Sequence, residues 1–70
     1  MTWNYRLVRK GLRYQIHEAY YDELGRVHSL STEPIYPAGD TVQEVEAHLK
    51  LLIEALQKEP IDFDSVCANG

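Results

Sequence analysis

Only one cysteine, Cys67, occurs in the 70 residues, so no internal disulfide can form. It lies in a stretch of small and polar residues and reads as a reduced thiol, which fits a cytosolic setting. Long apolar runs are also missing. None approaches the ~18 residues of a membrane-spanning helix, and no basic-then-apolar leader opens the chain. The expectation is a soluble, cytoplasmic protein that does not engage a membrane. Metal-binding spacing is absent too. There is no Cys-x-x-Cys, and His17, His28 and His48 supply no pair at i, i+4 on a helix, so no metal and no cofactor are expected. The chain has no Gly-rich phosphate loop, nucleophile elbow or His-Glu helix motif. His17 and Glu18 are strand neighbours and point to opposite faces. A chain this short also offers little volume for a water-excluding pocket. No catalytic residue is expected, and the protein is read as a non-enzyme.

What is present is unevenly distributed. The net charge is −4, yet residues 1–13 carry Arg6, Arg9, Lys10 and Arg13 with no acid, while all eleven acids lie beyond them. A basic end on an acidic body can attract nucleic acid or an acidic protein. One domain at most fits in this length, with a thin stability margin.

Residues 2–9 alternate, with Trp3, Tyr5 and Leu7 on one side and Asn4, Arg6 and Val8 on the other. Residues 12–21 alternate again, with Leu12, Tyr14, Ile16 and Tyr20 on the even positions. Taking Lys10-Gly11 as a two-residue turn sets Tyr5 against Ile16, Leu7 against Tyr14, and Trp3 against Glu18. Asp22-Glu23-Leu24-Gly25 reads as the next turn, and a third strand runs from about Arg26 to Thr32. Pairing Tyr21 with Arg26 leaves His28 and Leu30 outside. Pro34 and Pro37 make the following segment a loop.

Thr41 and Glu44 have the spacing of a capping box and start a helix that runs to about Lys58. Its apolar stripe is Val42, Val45, Leu49, Leu52, Ile53 and Leu56. Pro60 stops it. Ile61 and Phe63 either fold back on the core or form a short fourth strand. The expected fold is therefore α+β: a three-stranded antiparallel meander with one C-terminal helix packed on one face, in the order β-β-β-α. Residues 1–63 form a single domain and 64–70 a flexible tail.

Three surfaces carry functional candidates. The sheet face left open by the helix presents Asn4, Arg6, Gln15, His17 and Tyr21, which donate, accept and stack as an anionic or planar ligand requires. The basic hairpin, with Arg6, Arg9, Lys10 and Arg13, suits a nucleic-acid backbone. On the helix, Leu51 stands roughly 140° from the apolar stripe, flanked by Ala47, His48 and Ala55, and suits contact with another chain.

Two resemblances follow from particular residues. Trp3-Asn4-Tyr5-Arg6, His17-Glu18-Ala19-Tyr20-Tyr21-Asp22, Thr32-Glu33-Pro34 and the final amphipathic helix resemble a family of short, uncharacterised bacterial proteins. Its members open Met-Thr-Trp-Asn-Tyr-Arg and carry a His-Glu-x-Tyr-Tyr-Asp strand, and the likeness covers about residues 1–60. Separately, Gly39-Asp40-Thr41-Val42-Gln43-Glu44 and the Leu-rich helix ending in Glu59-Pro60-Ile61 resemble the HicB antitoxin N-terminal domain. That resemblance implies a β-β-β-α-β unit of partial RNase H-like fold that dimerises and binds a protein toxin. The function expected from all this is a small non-catalytic protein-interaction module that self-associates. The alternatives are nucleic-acid binding through the basic hairpin and a HicB-like antitoxin role.

Overall fold

The computed structural model describes residues 2–67. Three antiparallel strands, β1 (Thr2–Lys10), β2 (Arg13–Tyr21) and β3 (Val27–Leu30), are followed by helix α1 (Val42–Glu54) and a 3-10 turn (Ala55–Gln57). A short strand β4 (Ile61–Asp62) and a short helix α2 (Phe63–Cys67) follow. The sheet order is β3-β2-β1-β4, and β4 runs parallel to β1, with Ile61 beside Val8. The protein is thus α+β with a mixed four-stranded sheet.

The first hairpin turns on Gly11-Leu12, not Lys10-Gly11, because Lys10 pairs with Arg13. Gly11 sits at φ 63°, and among the described residues no non-glycine has positive φ. That is the pattern of a type II′ turn, which wants glycine at its first central position and matches the strand twist. The register is therefore two residues away from the sequence expectation. Trp3 faces Tyr20, Tyr5 faces Glu18, Leu7 faces Ile16, Asn4 faces Ala19 and Arg6 faces His17. A shift of two keeps every side chain on its expected face and changes only its partner.

The core does not lie where the larger side chains suggested. Val8, Ala19 and Leu30 form the buried cluster, with Tyr21, Val27, Ile61, Phe63 and Val66 packed against it. That is the Asn4–Arg6–His17–Tyr21 face, expected to be open. Residues 63–67, most of which were expected to fray, fold over it as α2. Residues 68–70 of that expected tail lie outside the described residues. Strand three supplies two core residues three apart, Val27 and Leu30, which a regular strand would point to opposite faces. A register shift brings both inward: Tyr20 pairs with Ser29, but Tyr21 pairs with Val27, and His28 is left out and exposed. Leu30 is consequently buried, not outside.

Helix α1 lies along β1 on the opposite face. The capping box forms as expected. Thr41 Oγ1 accepts from the Glu44 amide at 3.1 Å, and the Glu44 carboxylate accepts from the Thr41 amide at 3.2 Å and the Asp40 amide at 2.7 Å. His48 anchors the helix. Its Nδ1 accepts from the Ala38 amide at 3.1 Å, so its Nε2 carries the proton and donates to the Tyr5 hydroxyl at 3.2 Å.

His17 holds the other layer together. It is fully buried, and its Nδ1 lies 2.8 Å from the Ser31 carbonyl, which can only accept. Its Nε2 lies 2.9 Å from the Gln15 amide nitrogen, which can only donate. Its ring also packs on Phe63 of α2, with centroids 5.5 Å apart. These partners match the Nδ1–H tautomer. Truncating His17→Ala leaves a cavity and unpaired buried groups, and should cost about 2–4 kcal/mol. The exposed His28→Ala should stay within ~0.5 kcal/mol. Urea unfolding of both variants checks this, and equal midpoints would remove His17 from its structural role.

Candidate interaction surface

The helix is apolar over more of its circumference than one sheet contact can bury. Leu51, Leu52 and Ile53 are consecutive, and three consecutive residues turn through about 200°. Against β1 the helix buries Leu52 and Ala55, with Val45 and His48 half-buried beside them. Those four lie on one line at i, i+3, i+7 and i+10. A second line, about 90° further round, holds Val42, Leu49, Ile53 and Leu56. These are 81%, 41%, 57% and 57% exposed. Four of the six residues expected to face the core thus stand in water. The physical reason is the seating of the helix on Ala55 and His48, which the apolar pattern did not favour.

The exposed stripe adjoins an uncovered part of the sheet. Because α1 follows β1, the half of this face over β2 has no helix above it. Leu56 there lines an open groove with Leu7, Tyr14, Ile16, Ile35 and Tyr36. The Ile35 amide donates to the Ile16 carbonyl at 2.7 Å, which fixes the loop as the far wall of the groove. Tyr14 and Tyr36 are mostly exposed on the rim. Leu56 thus joins the exposed helix stripe to the sheet floor and the loop wall of this open groove. Its size is informative, since monomers rarely leave large contiguous apolar patches in water.

The residues singled out from the sequence are placed as follows. Asn4, Arg6, Gln15, His17 and Tyr21 do share a face, but they bond chiefly to one another. Tyr21 donates its hydroxyl to Asn4 Oδ1 at 2.8 Å, and Arg6 Nη1 donates to the Tyr21 oxygen at 3.1 Å. Arg6 Nη2 donates to the Glu59 carbonyl at 3.1 Å, which ties the chain before β4 to the sheet. Its buried Nε has no hydrogen-bond partner among the described residues. Arg6 is thereby separated from Arg9, Lys10 and Arg13, which remain exposed around the hairpin end. Lys10 sits 4.4 Å from the Phe63 ring centroid, a cation–π contact with α2. Of the helix residues, Ala47 and Leu51 are exposed, whereas His48 and Ala55 face β1. His17 is buried and His28 exposed, and no group of three or more His, Cys, Asp or Glu that could hold a metal occurs among the described residues. Among those residues no helix is long and apolar enough to cross a membrane.

Among the described residues, Tyr20 and Asp22 have shifted titration. Tyr20 donates its hydroxyl to the Glu18 carboxylate, and this bond to an anion pushes the phenol above its ordinary value. Asp22 closes the β2–β3 turn. The Arg26 amide donates to its Oδ1 at 3.0 Å and the Leu24 amide at 2.9 Å, and these bonds hold its carboxyl below the ordinary value. No family model, curated protein or solved structure matches the chain.

Because the folded form lowers the Asp22 pKa, its stabilising share is complete above the unfolded-state pKa and is lost as pH falls through the folded one. Asp22→Asn keeps an oxygen for the two amides and removes the titration. Thermal melts from neutral to acid pH should show the wild type losing stability faster than Asp22→Asn below the ordinary carboxylate range. Parallel curves would mean that the turn does not depend on the charge.

Proposed function

We propose that this protein is a small, non-catalytic interaction module that works by burying its α1–β2 apolar surface against another polypeptide, and that it self-associates. The observation that carries the reading is the stripe Val42, Leu49, Ile53 and Leu56, exposed beside the groove floored by Leu7 and Ile16. A second support is that the polar groups of the Asn4–Tyr21 face are spent on internal bonds, leaving the apolar surface as the larger unsatisfied feature. An antitoxin-type role, implied by the HicB resemblance, uses the same surface with a protein toxin as the partner. A cytoplasmic location belongs to the same proposal.

Nucleic-acid binding is the second reading. Arg9, Lys10 and Arg13 cluster at one end of the first hairpin beside the exposed Tyr14. Loss of Arg6 to the Tyr21 and Glu59 bonds leaves three cations, a small electrostatic footprint whose binding should fall steeply with salt.

Ile53→Glu separates the two. It puts a charge on the surface while leaving the Leu52 and Ala55 contacts intact. Tagged wild type should retain protein companions, or further copies of itself, through high salt and nuclease, and Ile53→Glu with an unchanged circular dichroism spectrum should lose them. Companions that survive Ile53→Glu but leave with salt would transfer the function to the basic hairpin.

A further inference from the structure

The groove's occupant follows from its area, its symmetry and its charges; the inference rests on the interaction-surface reading above. We infer that the surface takes a second copy of this chain, with the two α1 helices packed antiparallel across a two-fold axis at Leu49.

Area comes first. Val42, Leu49, Ile53, Leu56, Tyr14 and Tyr36, at their observed exposures, offer roughly 700 Å² per copy, counting ~200 Å² for a fully exposed large side chain, within the range for aromatic residues. A standard interface takes about 800 Å² from each partner. One copy therefore exposes, on the stripe and the adjoining groove rim, an apolar area close to what a stable dimer uses.

Symmetry comes second. Leu49 lies seven residues from Val42 and seven from Leu56. An antiparallel pair centred on Leu49 sets Val42 of one copy against Leu56 of the other, twice, so each stripe covers its own length with no overhang. The contact is isologous, the same patch on both chains, and it closes without propagating. The opposed helix dipoles add a small favourable term.

Charge decides the direction. Glu46 and Lys50 flank the stripe on its solvent side and lie 3.8 Å apart within one chain. Antiparallel packing brings Lys50 of one copy to the level of Glu46 of the other, and the reverse, which makes two interchain pairs. Parallel packing puts the two Glu46–Lys50 flanks on opposite sides of the seam, each beside the partner's sheet-facing residues, so neither interchain pair forms. On the other flank the stripe's neighbours Val45 and Leu52 turn to the chain's own sheet. Glu44 and Glu54 lie round the helix, away from the seam, and Glu44 is committed to the capping box.

The test uses the full chain carrying Cys67→Ser. Val42→Cys and Leu56→Cys variants are mixed and oxidised, and the crosslinks are identified by mass spectrometry. The expected product is the 42–56 heterodimer. Dominant 42–42 and 56–56 products would overturn the antiparallel arrangement. Sedimentation equilibrium supplies the second arm. Leu49→Glu, which places two carboxylates at the axis, should weaken the dimer at least tenfold with helicity unchanged. Glu46→Lys should weaken it, and Glu46→Lys with Lys50→Glu should restore it. A wild-type monomer at every concentration overturns the second copy, and the surface reading then survives only if Ile53→Glu still abolishes capture of a different protein. A dimer indifferent to both Leu49→Glu and Ile53→Glu overturns the inference and the reading beneath it.

Discussion

The buried imidazole of His17 is the constraint from which the architecture follows. It stands in the middle strand pair with no exposed surface. On one side it holds the Ser31 carbonyl and therefore the exit from β3. On another it stacks against Phe63 and therefore the start of α2. Segments from the middle and the end of the chain are thus fixed to β2 through one ring. A carbonyl at Nδ1 and an amide NH₂ at Nε2 select one tautomer of that ring. The polar face of the sheet can become a core only because its polar groups are paired in this way. Asn4, Tyr21 and Arg6 extend the same solution along β1, ending at the Glu59 carbonyl that delivers β4 to its place. A buried donor or acceptor without its partner costs about 1–3 kcal/mol, so the network tolerates little loss.

How much of this could be read from the residues depends on the range of the physics involved. The capping box is a contact between positions three apart, and Thr41 and Glu44 form it as their spacing requires. The two turns are local as well, although Gly11 leads the first one instead of following Lys10. The error of two in register moved no side chain across the sheet, since faces alternate with period two. The choice of face failed for a different reason. Trp3, Tyr5, Leu7 and Ile16 are larger than Val8 and Ala19, and size argued for the first group. Burial is decided by what arrives later in the chain, and the arrival of Ile61, Phe63 and Val66 over Val8 is a tertiary event. The bulge at His28 is likewise invisible to alternation, because it exists to break it. The candidate ligand face was therefore legible as a group of neighbours and illegible as a core.

The result is a sheet with a thin layer on each side. One layer is a five-residue helix over Val8, Ala19 and Leu30; the other is α1 seated through Leu52 and Ala55. Neither collects the bulk of the large apolar residues. The extents of 38 × 30 × 21 Å and a radius of gyration of 12.5 Å describe a flattened body, wider than the ~11 Å expected of a compact domain this size. Flatness follows from the connectivity. With β4 at the β1 edge, the helix that precedes it is drawn over β1, and β2 is left without a cover.

The proposed self-association and the fold are then parts of one energetic problem. The apolar residues of α1 fall on two lines, one turned to the chain's own sheet and one turned outward. At about 25 cal/mol per Å² of apolar surface, the outward line carries unrealised burial comparable to the whole stability of a typical small domain. Rotating the helix to bury Leu49 and Ile53 would expose Leu52 and Ala55 and break the His48 bonds to Tyr5 and Ala38. The seating is fixed by those polar contacts, so the outward line can be buried only by something else. Binding that engages the folded form alone adds stability by mass action. A partner on the stripe would therefore stabilise the same helix seating that created the stripe, and the polar contacts that hold α1 on β1 set both the fold and the apolar line it leaves exposed.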